Sequence, residues 1–414
     1  MSNGKVEITY SNWGTHDEAA AIQKTADKFN SEQDKIEVKV IAIPRDFYIE
    51  ELDTLAAEGR MPDCGIMAES AVLEYAARGL LTDVSDMYAE GEDKPLDSLV
   101  FRDKNGKTIA YSTANEILLL FYNRDLFDRA GVAYPPATAE NAWTWDEFMA
   151  AARKLTLDAD GRRPGEPSFD PSRIMQYGAM VETLTWQLEV WALSNGGGFY
   201  SADGSRVVID KAPAVEAIQK IADLHLIENV APLSAGMGYD GIERSICGGA
   251  VAMATGGTWN VGTYLADAKK KKKLNYGVAV LPYMKEKVTL CTGGPNVVFS
   301  QSGHQDEAKE FLKWYAREEN IWYLVETGIW MPTLSSYYAD ESFSSAVMDY
   351  AVKSAKPTSW YYVNNTLDFN NLLGSMLGEV WTGDKTAQDV ITANIGALRK
   401  AHEGNQEPGM RSGK

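Results

Sequence analysis

The sequence predicts an α/β fold, in which open sheets carry helices on their faces. Helical periodicity is clear at residues 16–30 and 47–58, and each of these segments follows a short apolar strand pattern, at residues 6–10 and 36–43. Strands that alternate with helices are typical of α/β domains. The chain of 414 residues is long enough for two domains, each with its own core. No repeat of 20–50 residues indicates a solenoid or a propeller.

The next elements lie in one informative segment, residues 111–148. Its apolar run, residues 117–122, is short and bulky and predicts a buried strand. Asn123 is expected to cap a short helix over residues 124–130, and Gly131 to end that helix in the left-handed conformation. The segment therefore predicts a strand followed closely by a helix.

Other parts of the chain predict further strands and helices. Thr144 is expected to cap a helix, because Glu147, three residues later, completes a capping box. A strand is expected at residues 64–67, and a helix at residues 307–315. The polar, Gly-containing tail, residues 405–414, is expected to be flexible.

Composition and charge exclude several classes of function. The net charge of −18 argues against a nucleic-acid partner, because phosphate backbones need clustered Lys and Arg, and it disfavours strongly acidic polysaccharides. No run of 18 apolar residues predicts a membrane span. Cys64, Cys247 and Cys291 lack metal-ligand spacing and are expected to be small buried residues, with at least one of them free. No motif predicts a cofactor or a metal ion.

The order of several motifs resembles one known family. Residues 111–148 contain YNRDLF, then AG, PP and TWDEF, and this closely resembles the signature of the family 1 extracellular solute-binding proteins of ABC importers. The family's other motifs follow the same order along the chain: GRMPD at 59–63, GLLTD at 79–83, CGGAVAM with GGTW at 247–259, YGVAVLP at 276–282, GG at 293–294 and EAKEFLKWY at 307–315.

The resemblance implies a type II periplasmic-binding-protein fold of two lobes. Each lobe would be an α/β sheet with flanking helices, and the ligand cleft would lie between them. Lobe one is expected at residues 1–112 plus 293–354, and lobe two at residues 113–292 plus 355–404. The chain would pass between the lobes near residues 112–115, 290–294 and 354–357.

The resemblance also implies a function, a location and partners. The protein would be a monomeric receptor that captures a carbohydrate by hinge closure and delivers it to the membrane permease subunits of an ABC transporter. It would be exported, commonly with a lipid anchor, and a leader is expected ahead of residue 1.

Aromatic and polar side chains in predicted loops are the candidate ligand contacts. In α/β sheets, ligands lie outside the carboxyl ends of strands, which here selects the loops at 11–15, 44–46, 68–71 and 113–116. Indole faces stack on sugar rings while amides and charged groups take the hydroxyls. The aromatic candidates are Trp13, Trp330 and Trp360, with core packing as the alternative for each. The other candidates are Arg45, which would suit a uronate, Glu69, Ser70, Asn115, and Gly294 as a hinge or close-approach residue.

Three further positions are implied by the maltodextrin-binding relatives. Glu116 matches their cleft carboxylate, Trp259 matches a stacking platform, and Trp186 falls where they place a stacking aromatic. Met67 stands where those relatives have a Trp on the loop after the second strand of lobe one. This departure argues against a linear maltodextrin as the ligand.

Three functions remain open at the level of the sequence. A carbohydrate receptor is favoured, for an oligosaccharide of about two to four residues, because the aromatic candidates come from separate loops. A receptor for another solute, such as an oligogalacturonide or a polyamine, is the first alternative. A glycosidase that uses Glu69 and Glu116 as paired carboxylates is the second.

Overall fold

The chain forms two compact units in the computed structural model. The structure describes residues 4–13, 16–44, 47–233, 245–261, 274–317, 319–320, 331–339 and 354–404. Unit 1 comprises Met1–Ile117, Cys291–Ser344 and Trp360–Tyr362, and unit 2 comprises Leu118–Leu290, Ser345–Ser359 and Val363–Lys414. The lobe boundaries expected at 112/113 and 292/293 stay predictions, as does the cleft.

Strands and helices are mixed along the chain and alternate strictly over residues 6–77, so the predicted α/β class is confirmed. The strands are β1 (Val6–Asn12), β2 (Ile36–Ala42), β3 (Cys64–Ile66), β4 (Val100–Arg102), β5 (Thr108–Ser112), β6 (Glu116–Asn123), β7 (Leu157–Asp158), β8 (Ile174–Met180), β9 (Val251–Gly257), β10 (Tyr276–Ala279), β11 (Thr289–Thr292), β12 (Pro295–Val298) and β13 (Ala355–Pro357). The helices are α1 (His16–Glu32), α2 (Tyr48–Glu58), α3 (Glu69–Ala77), α4 (Arg124–Ala130), α5 (Trp145–Leu155), α6 (Thr185–Ser194), α7 (Ala212–Leu226), α8 (Gln305–Tyr315), α9 (Ser335–Ala339), α10 (Thr366–Trp381) and α11 (Ala387–Glu403).

Unit 1 is built on a sheet with the strand order β2-β1-β3-β12-β5-β4. β1 is parallel to β2 and β3, whereas β12 is antiparallel to β3 and β5. Both faces of the sheet are covered, because neighbouring residues of β12 belong to different core clusters. Val298 packs in the cluster that includes α1 and α8, and Val297 packs in the cluster that includes α2 and α3.

Unit 2 contains a second sheet with the strand order β13-β11-β6-β9-β8-β7, and β10 also pairs with β6. β8 and β9 are parallel, and β6 is antiparallel to β9. α6 packs against α7 and α10, and α10 packs against α11. Along the chain, β8 ends at Met180 and α6 begins shortly afterwards, at Thr185.

Local capping predictions are confirmed. Asn123 Oδ1 accepts a hydrogen bond from the Leu126 N–H (3.3 Å), and Gly131 ends α4 at φ 62°. Thr144 and Glu147 form the reciprocal capping box at the start of α5.

Two predicted loops are wrong in part. Ser11 and Asn12 belong to β1, because they pair with Ile41 and Ala42 of β2. The expected loop at 68–71 is mostly helix, since α3 begins at Glu69. An acidic side chain in the first turn favours that start through the helix dipole.

The cysteines are free thiols. Cys64 and Cys291 are buried as predicted, whereas Cys247 is half-buried. Burial raises the pKa of the Cys64 thiol well above its ordinary range and that of Cys291 to about 12. Over the described ranges, no helix has the length and apolar character that crossing a membrane requires.

Candidate functional site

The parallel strands β8 and β9 end at the same edge of the unit 2 sheet. Met180 lies opposite Ala254 in the register, so the residues that follow both strands come together. The N–H of Glu182 donates to Thr255 Oγ1 at 3.1 Å. This edge, outside the carboxyl ends of two parallel strands, is where α/β sheets place ligands.

Two candidate tryptophans meet at this edge. Trp186 lies in the first turn of α6 and is 8% exposed, and Trp259 is half-buried in the short turn that follows β9. Their ring centroids are 6.0 Å apart with an interplanar angle of 47°. A Cβ added at Gly257 would overlap three ring atoms of Trp259, so the indole lies directly on the glycine backbone. The sequence therefore needs a residue without a side chain at position 257.

Glu182 lies at the same edge, and it was not among the ligand contacts predicted from the sequence. It is 4% exposed, and among the described residues neither carboxylate oxygen has a hydrogen-bond partner. Burial raises its pKa to about 8, and the nearby amide of Gln187 offsets part of that rise without reaching either oxygen in good hydrogen-bond geometry. Buried polar groups are normally satisfied, so an unsatisfied carboxyl at the strand edge that also carries the two indoles indicates a place for a polar ligand group.

Unit 1 holds a corresponding group at the ends of β1 and β3. Trp13 follows β1 and makes an edge contact with Tyr48 (centroids 5.0 Å, 90°). Tyr48 is fixed by its hydroxyl, which donates to the Ile66 carbonyl at 2.6 Å. A Cβ on Gly294 would lie 2.7 Å from Ile66 Cδ1 and 3.6 Å from Trp13 Cζ2. Gly294 therefore allows the close approach of Ile66, and Trp13 lies at ordinary contact distance from the same position.

Asn12, which precedes Trp13, was also missed by the sequence analysis. It is 1% exposed, and within the described part of the chain its side-chain oxygen and nitrogen have no hydrogen-bond partner. Leaving such a group unsatisfied costs about 1–3 kcal/mol, which a polar ligand group or a water molecule would recover.

Two predicted carboxylates of unit 1 share one neighbourhood. The Thr292 hydroxyl donates to Glu69 Oε1 at 3.1 Å, and Thr292 lies opposite Glu116 in the β11–β6 register. Tyr361 lies near both carboxylates. Its pKa is raised far above the usual range, mainly by burial and then by electrostatic repulsion from Cys291, Glu69 and Glu116. Its hydrogen bond with Ser112 acts in the opposite direction and lowers the pKa.

Trp360 is held next to this neighbourhood by Tyr361. Tyr361 stacks on Phe101 (3.9 Å, 20°), and its hydroxyl shares a hydrogen bond with Ser112 Oγ (2.8 Å). Trp360 is half-buried in a short turn and groups with unit 1, because its neighbour Tyr361 is anchored in the unit 1 core.

The remaining predicted ligand contacts add less to the description of the site. Asn115 is buried, and its backbone N–H donates to the Met331 carbonyl at 3.0 Å, while Ser70 is half-buried in the first turn of α3. Arg45 and Trp330 lie outside the described residues. The structure thus brings together Trp186 with Trp259, Trp13 with Gly294, and Glu69 with Glu116.

A family comparison and similar proteins agree with this architecture. Residues 13–322 match the family described as bacterial extracellular solute-binding protein. A binding protein of Brucella abortus is 28% identical over 130 residues, which span 31% of this chain and 30% of that protein. The chain therefore matches less than a third of that relative's length.

Solved structures show the same fold. A solute-binding protein of an ABC transporter from Thermotoga lettingae, bound with alpha-D-tagatose, has a TM-score of 0.79 at 20% identity and covers 96% of this chain and 100% of its own. The cyclic alpha-maltosyl-1,6-maltose binding protein from Arthrobacter globiformis has a TM-score of 0.78 at 22% identity, with 97% and 100% covered. With more than half of its length matched by the family pattern, the chain belongs to the bacterial extracellular solute-binding proteins.

Proposed function

We propose that this protein is the substrate-binding receptor of an ABC importer and that its substrate is a carbohydrate, a short oligosaccharide. The observation that carries the proposal is the pair Trp186 and Trp259, which meet at the edge of two parallel strands that also carries Glu182. Indoles offer a stacking face for the C–H side of a sugar ring, and a carboxyl group binds hydroxyls. Among the solved proteins of this fold, the Thermotoga lettingae protein is bound with alpha-D-tagatose, and the Arthrobacter globiformis protein is a cyclic alpha-maltosyl-1,6-maltose binding protein.

The available contacts are sufficient in energy for capture and release. A micromolar dissociation constant corresponds to about −8 kcal/mol. Stacking faces contribute about 0.5–1.5 kcal/mol each, and hydrogen bonds to charged groups about 1.5–3 kcal/mol each. A few of each around the bound sugar reach that value after the cost of ordering the ligand.

We infer a receptor without catalytic activity. Glu69 accepts a hydrogen bond from Thr292, and Glu116 lies across the strand pair from the same threonine, which suits fixed acceptors for hydroxyl groups. Incubation with a panel of oligosaccharides should leave every glycan intact. Release of shorter sugars by purified protein would overturn the receptor assignment.

The proposed partners are the permease subunits of the transporter, and the proposed state is a monomer. Its proposed location is extracytoplasmic, either in the periplasm or lipid-anchored at the outer face of the cell membrane. The net charge of −18 supports the absence of a nucleic-acid partner. Neither a cofactor nor a metal ion is part of the proposal.

A thermal-shift screen tests the proposal. Neutral oligosaccharides from starch and plant walls, oligogalacturonides, polyamines and amino acids would be compared as stabilisers, since a ligand that binds only the folded state raises the melting temperature. Stabilisation by polyamines or amino acids alone would contradict the carbohydrate assignment.

The variant Trp259→Ala locates the site. We expect it to weaken binding of the best glycan by about tenfold or more, because a stacking face is lost. Trp314→Ala is the matched control: Trp314 is also half-buried but packs on Phe29 of unit 1 (5.0 Å). Equal loss of affinity in both variants would place the site elsewhere.

A further inference from the structure

Among the described residues, the elements next to Glu182 contain few charged groups. β8 and β9, the strands that end beside it, contain no charged residue. α6, which follows it, contains one, Glu189, whose pKa depends on burial and on hydrogen bonds from Ser359. On α7, His225 lines a small cavity together with Val181 and Thr183, the sequence neighbours of Glu182.

These surroundings favour the acid form of the carboxyl group. An ionised carboxylate that is buried without a cation, and with no donor in good hydrogen-bond geometry, is far less stable than a neutral acid. In agreement, burial raises the pKa of Glu182 to about 8. The group is therefore mainly a carboxylic acid at neutral pH.

We propose that Glu182 determines specificity for an uncharged part of the glycan, by donating one hydrogen bond and accepting another as a neutral carboxylic acid. The inference rests on the proposed carbohydrate function. A sugar hydroxyl both donates and accepts, so it matches both atoms of the acid. The ammonium group of an amino sugar offers only donors, and the carboxylate of a uronate offers only acceptors. Each therefore leaves either the acceptor or the donor of the buried acid without a partner.

Binding measured at several pH values tests this inference. The probe is whichever of maltotriose, cellotriose and xylotriose stabilises the wild-type protein most, with the glucosamine trimer and the galacturonic acid trimer as charged probes. Calorimetry at pH 6, 7, 8 and 9 should give wild-type affinity for the neutral probe that is constant up to pH 7. It should be about tenfold weaker at pH 9, because the acid form is then the minor one.

The variants Glu182→Gln and Glu189→Gln distinguish the effects of the two buried carboxyl groups on the pH dependence of binding. The amide of Glu182→Gln keeps one donor and one acceptor, so its affinity should vary by less than about twofold between pH 6 and pH 9. Glu189→Gln, the matched control on α6, should keep the wild-type loss. An equal loss in Glu182→Gln, or a wild-type preference at pH 6 for the glucosamine trimer, would overturn the inference and leave the carbohydrate function intact.

Unfolding without any sugar gives a second measurement. The melting temperature of the wild-type protein should fall more between pH 6 and pH 9 than that of Glu182→Gln, and equal falls would overturn the inference. A wild-type protein that binds none of the sugars would overturn the inference together with the proposed function.

Discussion

At the scale of single residues, Gly257 sets the position of the Trp259 indole. Gly257→Ala should displace the ring, because the new Cβ would overlap its atoms. We expect the affinity for the best glycan to fall by about tenfold, at a cost of roughly 1–3 kcal/mol in folding free energy, typical of added volume at a packed position. Calorimetry and urea unfolding measure the two effects.

Gly378→Ala is the control for that substitution. Gly378 lies within α10, and a Cβ there would meet no atom within 4 Å. Alanine should stabilise the helix by about 0.5–1 kcal/mol and leave binding unchanged. Unaltered affinity in Gly257→Ala would show that the indole at this position does not contact the sugar.

Family resemblance made some of the site predictable and left other parts hidden. Trp186 and Trp259 were predicted because they fall where maltodextrin-binding relatives place stacking aromatics. Glu182 was not selected, because its burial depends on β9, about seventy residues later in the chain. Charge and hydropathy of neighbouring residues do not contain that information.

At the scale of elements, the capping box of α5 is a separable contribution to stability. Thr144→Ala removes the hydroxyl that accepts from the Glu147 N–H and should lower the free energy of unfolding by about 1 kcal/mol. Thr144→Ser keeps that acceptor and should restore most of the loss. Urea unfolding of the three proteins measures this, and a serine variant as unstable as the alanine variant would contradict the capping explanation.

The same local chemistry explains which element boundaries could be predicted. The start of α4 at Asn123 and that of α5 at Thr144 depend on residues within one turn, which the sequence displays. The start of α3 follows Ala68, which has no capping side chain, so nothing marked it. The end of β1 at Asn12 depends on pairing with β2 and not on its own residues.

At the scale of the whole molecule, two buried carboxyls should make stability depend on pH. Burial raises the pKa of Glu182 to about 8 and that of Glu189 to about 7, from 4.5. Between pH 4.5 and these values the folded protein holds protons that the unfolded chain has released, so stability falls as pH rises. Each such proton lowers the free energy of unfolding by about 1.4 kcal/mol per pH unit.

The double variant Glu182→Gln/Glu189→Gln tests that dependence. Its free energy of unfolding should change less than that of the wild-type protein between pH 5 and pH 8, because the two raised carboxyls are gone. Urea unfolding at four pH values is sufficient. If the free energy of unfolding changed equally with pH in the two proteins, both carboxyls would ionise in the folded state as they do in water.

The net charge of −18 leads to a prediction about salt. A neutral trisaccharide has no charge for the protein's field to act on, so its dissociation constant should change by less than about twofold between 50 and 500 mM NaCl. A galacturonic acid trimer is repelled by the same field, so its weaker binding should strengthen as salt screens the repulsion. Calorimetry at both salt concentrations compares the two sugars. Affinity for the uronate that falls steeply with salt would instead reveal a cationic contact in the site, and would favour the acidic-sugar alternative over a neutral ligand.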